Sequence, residues 1–245
     1  MNIIDPVPET SVHIHYRSSG IGQYDHRFRE KALIRVVQLT FSGREPAGVK
    51  ILDMGCGRGE LLALMKDRGF EVTGMDLDPN CVRMAGRHAR TLQGDYGSLQ
   101  AAFEPGAFEM VISSHSLEHL ENPRDDLIRL ASVSRRFVLL AVPNPLALPN
   151  VMYAGLMRKI PDVNQGHLYV WDHRHLKNFL ENHAGLIIRS WHGDFVRLFP
   201  RKKGIRKVLM GTGIVGCLEV LAGRVFPFLC DSIIALCEKK ESQTG

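Results

Sequence analysis

A short apolar run, an acid and three alternating glycines stand together in residues 51–60. The acid is Asp53, and Gly55, Gly57 and Gly59 follow it at every second position. Apolar residues then resume at helical spacing, so the pattern predicts a buried strand, a tight turn and a helix. Glycines permit positive φ angles and let a ligand approach bare backbone, and a helix N-terminus attracts acidic groups. The turn is therefore suited to a nucleotide-like cofactor.

A second acid ends the next predicted strand, in residues 70–80. Asp76 lies roughly twenty residues beyond the glycine turn, where a carboxylate can accept hydrogen bonds from both hydroxyls of an adenosine ribose. Leu77 follows it and is predicted to contact the same cofactor. Asp78 precedes Pro79 as the N-cap of a helix, so we predict a structural role for Asp78.

Side chains suited to proton transfer follow the apolar run of the fourth predicted strand. His115 and His119 are the candidate catalytic bases, because histidine titrates near neutrality. Ser113 and Ser114, just before them, are candidate cofactor contacts. A structural alternative for His119 is that it begins the next helix and hydrogen bonds its neighbours.

These groups converge only if the predicted strands form one open parallel sheet. Ligands of such sheets bind beyond the carboxyl ends of the strands. The first four strands bring residues 55–59, Asp76, Asp95 and residues 113–119 to one edge, and a fifth strand, 136–145, delivers another polar loop there. The sequence therefore predicts an α/β fold with its site at that edge.

The pattern of an acid followed by G-x-G-x-G in residues 53–59 resembles the first motif of class I S-adenosylmethionine (SAM) methyltransferases. The dinucleotide pattern G-x-G-x-x-G fails, because it requires glycine at Glu60 or Leu62. An NAD-linked oxidoreductase is therefore disfavoured. LEHL at 117–120 and VPNP at 142–145 are similar to the branch of this family that contains quinone-biosynthesis methyltransferases.

The resemblance covers about residues 50 to 185 and implies a Rossmann-like three-layer sandwich. Its sheet has seven mostly parallel strands with the last antiparallel, and we place strands six and seven at 185–190 and 232–239. We predict a single domain, 1–245, with an N-terminal cap at 1–48 and substrate-side insertions at 145–171 and 194–231. Long insertions in this fold lie where a substrate must be covered.

The resemblance also implies SAM as the cofactor and assigns it further contacts. The loop backbone around Cys56 is expected against the methionine part of SAM. Asp95 is expected at the adenine amino group, with Tyr96 packed on the ring. A plain turn residue beside Gly94 is the alternative for Asp95.

No metal is predicted, although His115, Glu118 and His119 form H-x-x-E-H. On one helical turn these residues share a face, and with His167 they would suit zinc or a transition metal. Some methyltransferases that resemble this chain carry E-x-x-E-H there and bind a divalent ion. This sequence departs from that pattern at His115, and His167 is equally well explained as a surface residue.

Two function classes remain for the whole chain. The favoured one is a SAM-dependent methyltransferase that acts on a small-molecule or lipid-like acceptor, at oxygen. The alternative is a non-catalytic or weakly active SAM-binding partner of another biosynthetic enzyme, since the chain also resembles the methionine-biosynthesis W protein. Both bind SAM, so only turnover separates them.

Composition limits the other possibilities. The 245 residues are 44% hydrophobic, enough for the core of one α/β domain, and the formal net charge is +5. Aromatic residues are sparse around the basic ones, so no nucleic-acid partner is expected. The five cysteines form no C-x-x-C pair and the first ten residues lack signal-peptide features, which favours a cytoplasmic location.

A basic cluster precedes an apolar segment near the C-terminus. The cluster contains Arg197, Arg201, Lys202, Lys203, Arg206 and Lys207. A solvated loop is one interpretation, and an anchor for an acidic substrate, lipid headgroup or phosphate is the other.

The apolar segment, 208–229, predicts an amphipathic helix and not a membrane span, because a span needs about twenty consecutive apolar residues. One face of the helix carries Ile214, Leu218, Leu221 and Val225. Such a face packs on its own domain, covers an apolar substrate or contacts a membrane surface. A peripheral membrane contact through 197–229 is therefore one expectation.

Overall fold

The computed structural model describes residues 23–157, 166–198 and 214–240. Within these ranges the strands are β1 (Lys50–Met54), β2 (Glu71–Asp76), β3 (Arg90–Gln93), β4 (Phe108–Ser114), β5 (Ser134–Pro143), β6 (Leu186–Gly193) and β7 (Ser232–Lys239). The helices are α1 (Gln23–Thr40), α2 (Glu60–Lys66), α3 (Pro79–Ala85), α4 (Leu99–Ala102), α5 (Pro123–Val133), α6 (Leu148–Met157), α7 (His173–Asn182) and α8 (Ile214–Val225). Short 3-10 turns lie at Tyr96–Ser98, Leu117–His119 and Pro227–Leu229.

The strands form one sheet of order β3-β2-β1-β4-β5-β7-β6. β7 pairs antiparallel with both β5 and β6, and the remaining neighbours are parallel. The predicted seven-stranded sheet with its antiparallel last strand is confirmed. Because β1 and β4 are central and buried on both faces, their sequences read as continuous apolar runs.

Two apolar layers cover the faces of the sheet, as a three-layer sandwich requires. One layer packs Leu33 of α1 and Leu62 of α2 against the strands. The other packs Leu127 of α5 and Leu176 of α7 on the opposite face. Residues Leu33, Val36 and Val37 of α1 are buried on one face of the helix.

Strand limits differ from the prediction at β5 and β6. β5 begins at Ser134 and ends at Pro143, and β6 continues to Gly193 because its pairing with β7 extends to Gly193 opposite Ile233. A β-bulge between Ile188 and Ser190 shifts the register there. The irregular side-chain alternation at a bulge hides such a strand end from sequence patterns.

The predicted apolar face of α8 is exposed and does not pack on the domain. Leu218, Leu221 and Val225 have exposed fractions of 49%, 55% and 62%. The opposite side of the helix, with Val215 and Glu219, is buried instead. No helix within the described ranges is both long and apolar enough to traverse a bilayer.

Arg197 differs from the prediction that it belongs to an exposed basic cluster. Its side chain is buried, forms an ion pair with Asp231 and lies over the ring of Phe195. The rest of that cluster, residues 201–207, lies outside the described residues.

Candidate cofactor and active site

The turn after β1 exposes its backbone to a cavity. The amides of Gly55 and Cys56 donate hydrogen bonds to the carbonyl of Met75, at 2.8 and 3.1 Å. Gly55 has a φ of +77°, and a Cβ atom there would lie 2.5 Å from the Ser116 hydroxyl oxygen. Conformation and space therefore both require glycine at this position.

The carboxylate of Asp76 is fixed at the end of β2 by two backbone amides. Gly57 N–H donates to Asp76 Oδ2 at 2.8 Å, and Asp78 N–H donates to Oδ1 at 2.9 Å. Each carboxylate oxygen keeps a second lone pair for a ligand. Asp78 itself accepts a hydrogen bond from Asn80 N–H, so its predicted role as the N-cap of α3 is confirmed.

Asp95 and Tyr96 lie beside the end of β3. The Asp95 carboxylate caps the 3-10 turn by accepting from Ser98 N–H at 2.9 Å, and Asp95 also lines the cavity. Asp95 therefore caps this turn and also faces the cavity, so its two predicted roles are compatible. The buried hydroxyl of Tyr96 hydrogen bonds Ser113 Oγ at 2.7 Å.

A single cavity of about 680 Å³ unites most of the predicted site. Of the sequence-predicted residues, it is lined by Asp53, Gly55, Cys56, Gly57, Asp76, Leu77, Asp95, Tyr96, Ser114, His115 and His119. Ser113 and Gly59 lie outside the lining. Ser113 sits behind Tyr96, and Gly59 has φ +86° where a Cβ would lie 2.8 Å from the Ala85 backbone, so it serves helix packing.

Carboxyl groups dominate the electrostatics of this cavity. Its acidic lining residues are Glu30, Asp53, Glu60, Asp76, Asp95, Glu118, Glu121 and Asp126. Among the described lining residues, Arg29 is the one arginine or lysine. Burial, reinforced by the charge of Asp76, raises the pKa of Asp53 to about 7. Burial also raises the pKa values of Glu30 and Glu118 to about 7. Such a cavity favours a cationic ligand.

Arg29 and Glu30 were not predicted as site residues. Both belong to α1, whose amino-terminal half reaches the cavity while its later turns pack on the sheet. The sequence did indicate that Arg29 faces inward, because Arg29 precedes the buried Leu33 by four residues and shares its helical face. The prediction treated residues 1–48 as an N-terminal cap and placed no catalytic or cofactor-binding residue there.

His115 has a left-handed backbone, with φ +54°, and is the one non-glycine residue with positive φ in the described ranges. Its amide donates to the carbonyl of Ala141 at 2.8 Å, which ties the turn to β5. Its Nε2 lies 3.0 Å from Ser232 Oγ, and its Nδ1 lies 4.0 Å from Glu118 Oε1. Strain of this kind persists where the surroundings impose it and is concentrated at functional sites.

His119 lies in the 3-10 turn Leu117–His119, beside a second chain segment. Its Nδ1 is 2.8 Å from the carbonyl of Gly166, and its Nε2 is 3.9 Å from Glu118 Oε1. The ring of His167 packs edge-on to His119 at 4.8 Å between centroids. The amide of Leu168 donates to the Glu118 carbonyl at 2.8 Å, which holds this segment over the turn.

The side chains of Glu118, His119 and His167 could also hold a metal ion. Each offers one ligand atom, and these atoms lie within 4.8 Å of one another. Glu118 is buried, and within the described ranges neither of its carboxylate oxygens has a hydrogen-bond partner. This arrangement is compatible with a divalent cation and equally with a buried carboxyl shared by two imidazoles, so the prediction of no metal stays a prediction.

The raised pKa of Asp53 predicts a pH-dependent stability. Its proton stabilises the folded chain below about pH 4, and this contribution is lost as pH rises through the folded-state pKa of about 7. Asp53→Asn mimics the protonated form. We therefore expect the free energy of unfolding of the Asp53→Asn variant, measured relative to the unsubstituted chain, to increase by a few kcal/mol between pH 5 and pH 8. Each unit by which folding raises the pKa corresponds to about 1.4 kcal/mol.

Denaturant titrations of the ligand-free chain at several pH values measure this difference. Glu238→Gln is the control, because hydrogen bonds from Arg136 and Arg189, which stay charged across this range, outweigh the effect of burial and lower the pKa of Glu238. Its stability penalty should stay constant from pH 5 to pH 8. If the stability difference between Asp53→Asn and the unsubstituted chain were also constant from pH 5 to pH 8, Asp53 would not be holding a proton in this range.

The sheet order, the glycine turn after β1 and the acid that ends β2 define the class I SAM-dependent methyltransferase fold. Residues 24–190 match the family model described as a methyltransferase domain, and the chain belongs to this family. The recognition made from the sequence is thereby confirmed, with SAM as the cofactor of the class.

Curated relatives match part of the chain. It is 37% identical over 91 residues to the mitochondrial ubiquinone biosynthesis O-methyltransferase of Schizosaccharomyces pombe. The aligned region covers 34% of this chain and 33% of that protein. It is 35% identical over 116 residues to the ubiquinone biosynthesis O-methyltransferase of Chromobacterium violaceum, covering 44% and 50%. The chain therefore spans a third to a half of the length of these relatives.

Solved structures resemble the chain over nearly its whole length. Magnesium protoporphyrin IX methyltransferase from Synechocystis PCC 6803, with bound SAH, has a TM-score of 0.62 at 15% identity and covers 94% of this chain and 98% of its own. A SAM-dependent methyltransferase from Archaeoglobus fulgidus has a TM-score of 0.54 at 18% identity, covering 88% and 98%. At these identities the likeness shows the fold, and the predicted Rossmann-like sandwich is confirmed.

Proposed function

We propose that this protein transfers a methyl group from SAM to a hydroxyl oxygen of a small-molecule or lipid-like acceptor. One observation carries the proposal: a single cavity runs from Asp76 on β2, past the glycine turn, to the histidines after β4. Cofactor-binding and proton-accepting groups therefore face the same space. The names of the relatives, ubiquinone biosynthesis O-methyltransferases, support oxygen as the acceptor atom.

The charges of the residues that line this cavity are complementary to those of SAM. SAM carries a sulfonium and an ammonium group, which suit the acid-rich lining. Asp76 would accept the ribose hydroxyls, and the backbone at Gly55 and Gly57 would lie against the methionine part. Arg29 lines the same cavity and would pair with the carboxylate of SAM. Asp95 and Tyr96 would contact the adenine.

SAM supplies a methyl group on a positively charged sulfur, and this carbon is electrophilic before the protein acts on it. The chain must align an acceptor oxygen with that carbon, exclude water and take up the hydroxyl proton. His115 and His119 lie just after β4 and line the cavity, and we assign them as the candidate bases that accept the proton of the acceptor hydroxyl. A positioned base contributes about 10²–10⁴ in rate when a hydroxyl must lose its proton.

An acceptor with an apolar portion fits the surface next to the cavity. Because β7 is antiparallel, the segment before it lies at the same edge as the segment after β5. Asn144 Nδ2 joins them by donating to the carbonyls of Phe228 and Cys230, at 2.9 and 2.7 Å. Exposed apolar side chains on these segments include Leu146, Val151, Met152, Leu221, Val225, Phe226 and Phe228.

We extend the proposal to a peripheral membrane contact through residues 197–229, which would present a lipid-like acceptor to the site. The exposed face of α8 supports it, and the basic residues 201–207 would add attraction to anionic headgroups. A bilayer in contact with this edge would lie on the side of the sheet where His115, which lines the cavity, contacts Ala141 of β5 and Ser232 of β7.

Flotation with liposomes that contain phosphatidylglycerol tests the membrane contact. Replacing Leu221, Val225 and Phe228 together with aspartate should abolish flotation, and charge reversal at Arg201, Lys202 and Lys203 should weaken it. Leu39→Asp is the matched control, because Leu39 is 58% exposed on the last turn of α1, at the opposite edge of the sheet. Flotation that neither set of substitutions changes would end this part of the proposal.

Turnover tests the methyltransferase assignment. The chain is incubated with isotope-labelled SAM and a panel of phenols and hydroquinones, with and without alkyl tails, and methyl ethers are detected by mass spectrometry. Tailed acceptors should react faster than their tailless counterparts. SAM binding without methylation of any acceptor would favour the partner-protein alternative, and loss of activity in EDTA that zinc or magnesium restores would reveal a metal at Glu118.

A further inference from the structure

The side chain of Asn144 lies where the segment after β5 meets the segment before β7, and it is 3% exposed. Its Nδ2 donates to the carbonyls of Phe228 and Cys230, at 2.9 and 2.7 Å, and its Oδ1 accepts from the amide of Leu146 at 3.0 Å. Because carbonyls only accept and a backbone N–H only donates, these partners fix which end of the Asn144 amide is the nitrogen. One side-chain amide therefore joins the two segments.

The backbone of Asn144 strengthens the same junction. Its amide donates to the carbonyl of Asp231 at 2.9 Å, and its carbonyl accepts from the amide of Ala147 at 3.2 Å. The side-chain bond to the Cys230 carbonyl is buried, and a buried carbonyl that loses its donor is costly. Loss of the Asn144 side-chain N–H groups would therefore favour separation of the two segments.

An exposed apolar side chain lies on each side of this junction. Leu146 is 51% exposed and Phe228 is 60% exposed. The ring of His173 packs edge-on to Phe228 at 4.9 Å between centroids, which restricts the Phe228 ring. Since the backbones of Leu146 and Phe228 bond to the same amide group, Asn144 sets the spacing between the two side chains.

This apolar surface is connected to the reacting end of the cavity. Ser232 follows Asp231 and pairs with Pro143 between β7 and β5. The Ser232 hydroxyl lies 3.0 Å from Nε2 of His115, which lines the cavity. An acceptor whose hydroxyl lies at His115 would therefore have this surface within reach of an apolar substituent.

We propose that Asn144 is a positioning residue that makes the site prefer acceptors with an alkyl tail, because it holds Leu146 and Phe228 at the spacing that the tail contacts. The inference rests on the proposed function and deepens it. A tail bound there leaves water, and each methylene group so buried strengthens binding by about fourfold. Asn144 lies outside the lining of the cavity, so its effect is on acceptor binding and not on the chemical step.

Kinetics with SAM and two probes, catechol and octylcatechol, test this role. Asn144→Asp keeps the shape of the side chain and an acceptor for the Leu146 amide, but it removes both N–H groups. The preference for octylcatechol, measured as the ratio of the two kcat/KM values, should fall about tenfold or more in this variant. The loss should lie in the KM for octylcatechol and not in its kcat.

Asn150→Ala is the matched control. The Nδ2 of Asn150 also donates to two carbonyls, those of Asn144 and Pro145 at 3.3 Å each, but both belong to its own segment. This variant should keep the preference of the unsubstituted chain for octylcatechol. A loss as large as that in Asn144→Asp would show that loosening either segment has the same effect, and it would overturn the proposal.

Leu146→Ser and Phe228→Ser decide the question if Asn144→Asp does not fold, because both side chains are exposed. Each should lower the preference for octylcatechol by about threefold or more. Equal preferences in both variants and in the unsubstituted chain would contradict the role of this surface.

Binding separates this inference from the proposed function. If the unsubstituted chain methylates neither probe, the methyltransferase assignment loses support, and calorimetry with octylcatechol and the chain loaded with S-adenosylhomocysteine decides the role of Asn144. Asn144→Asp should then bind octylcatechol about tenfold more weakly. Equal binding by the two chains, or binding by neither, would overturn the positioning role. If turnover is normal and Asn144→Asp keeps its preference, the positioning role is wrong and the methyltransferase assignment stands.

Discussion

Replacement of Asp76 by alanine is expected to lower the affinity for SAM by about 100-fold or more. Two hydroxyl hydrogen bonds to a carboxylate are worth about 1.5–3 kcal/mol each, and 1.4 kcal/mol corresponds to tenfold in affinity. The substitution also removes the acceptor for Gly57 N–H, which lies 2.8 Å from Oδ2 in the cofactor-binding turn. Titration calorimetry with SAM and with S-adenosylhomocysteine measures the loss.

Asp172→Ala separates a binding effect from a folding effect. Asp172 also accepts two backbone hydrogen bonds, from Arg174 and His175, but it caps α7 outside the cavity. This control should lose roughly 1 kcal/mol of stability, as helix N-caps do, and keep its SAM affinity. If Asp76→Ala binds SAM within twofold of the unsubstituted chain, the ribose assignment is wrong.

The second large effect is expected at the end of β4. His115→Ala and His119→Ala should each reduce kcat, by about 10²-fold or more for the residue that serves as the base. Neither substitution should change the SAM affinity more than about twofold, because neither removes a cofactor-binding group. Single-turnover rates and calorimetry on the same preparations separate these quantities.

His183→Ala is the control for this pair, since His183 is exposed at the end of α7 and lies outside the cavity. Its turnover should equal that of the unsubstituted chain. A slow His115→Ala beside a normal His119→Ala would assign the base to His115 and leave His119 as the partner of the Gly166 carbonyl. Two unchanged rates would exclude both histidines as the base.

Local patterns predicted which strand ends line the cavity, because local chemistry determines these ends. The glycines of residues 55–59 must stand together in sequence to make one turn, and Asp76 must end the next strand. Each feature is a strand end, and parallel strands place their carboxyl ends at one edge. Ser113 follows the same strand-end pattern but lies outside the cavity lining, since adjacency to a strand end does not tell which way a side chain points.

The sequence by itself determined the parallel strands and the sheet edge at which their polar ends gather, because strand periodicity and glycine spacing are local properties. The antiparallel last strand was implied by the family resemblance. Only the tertiary structure decided that Arg29 reaches the cavity, that Gly166 meets His119 and that Ser232 meets His115. These contacts join residues 47 and 117 positions apart in the two histidine pairs. No local pattern encodes such distances, since they depend on the order of the strands and on the chain segments that cross the edge.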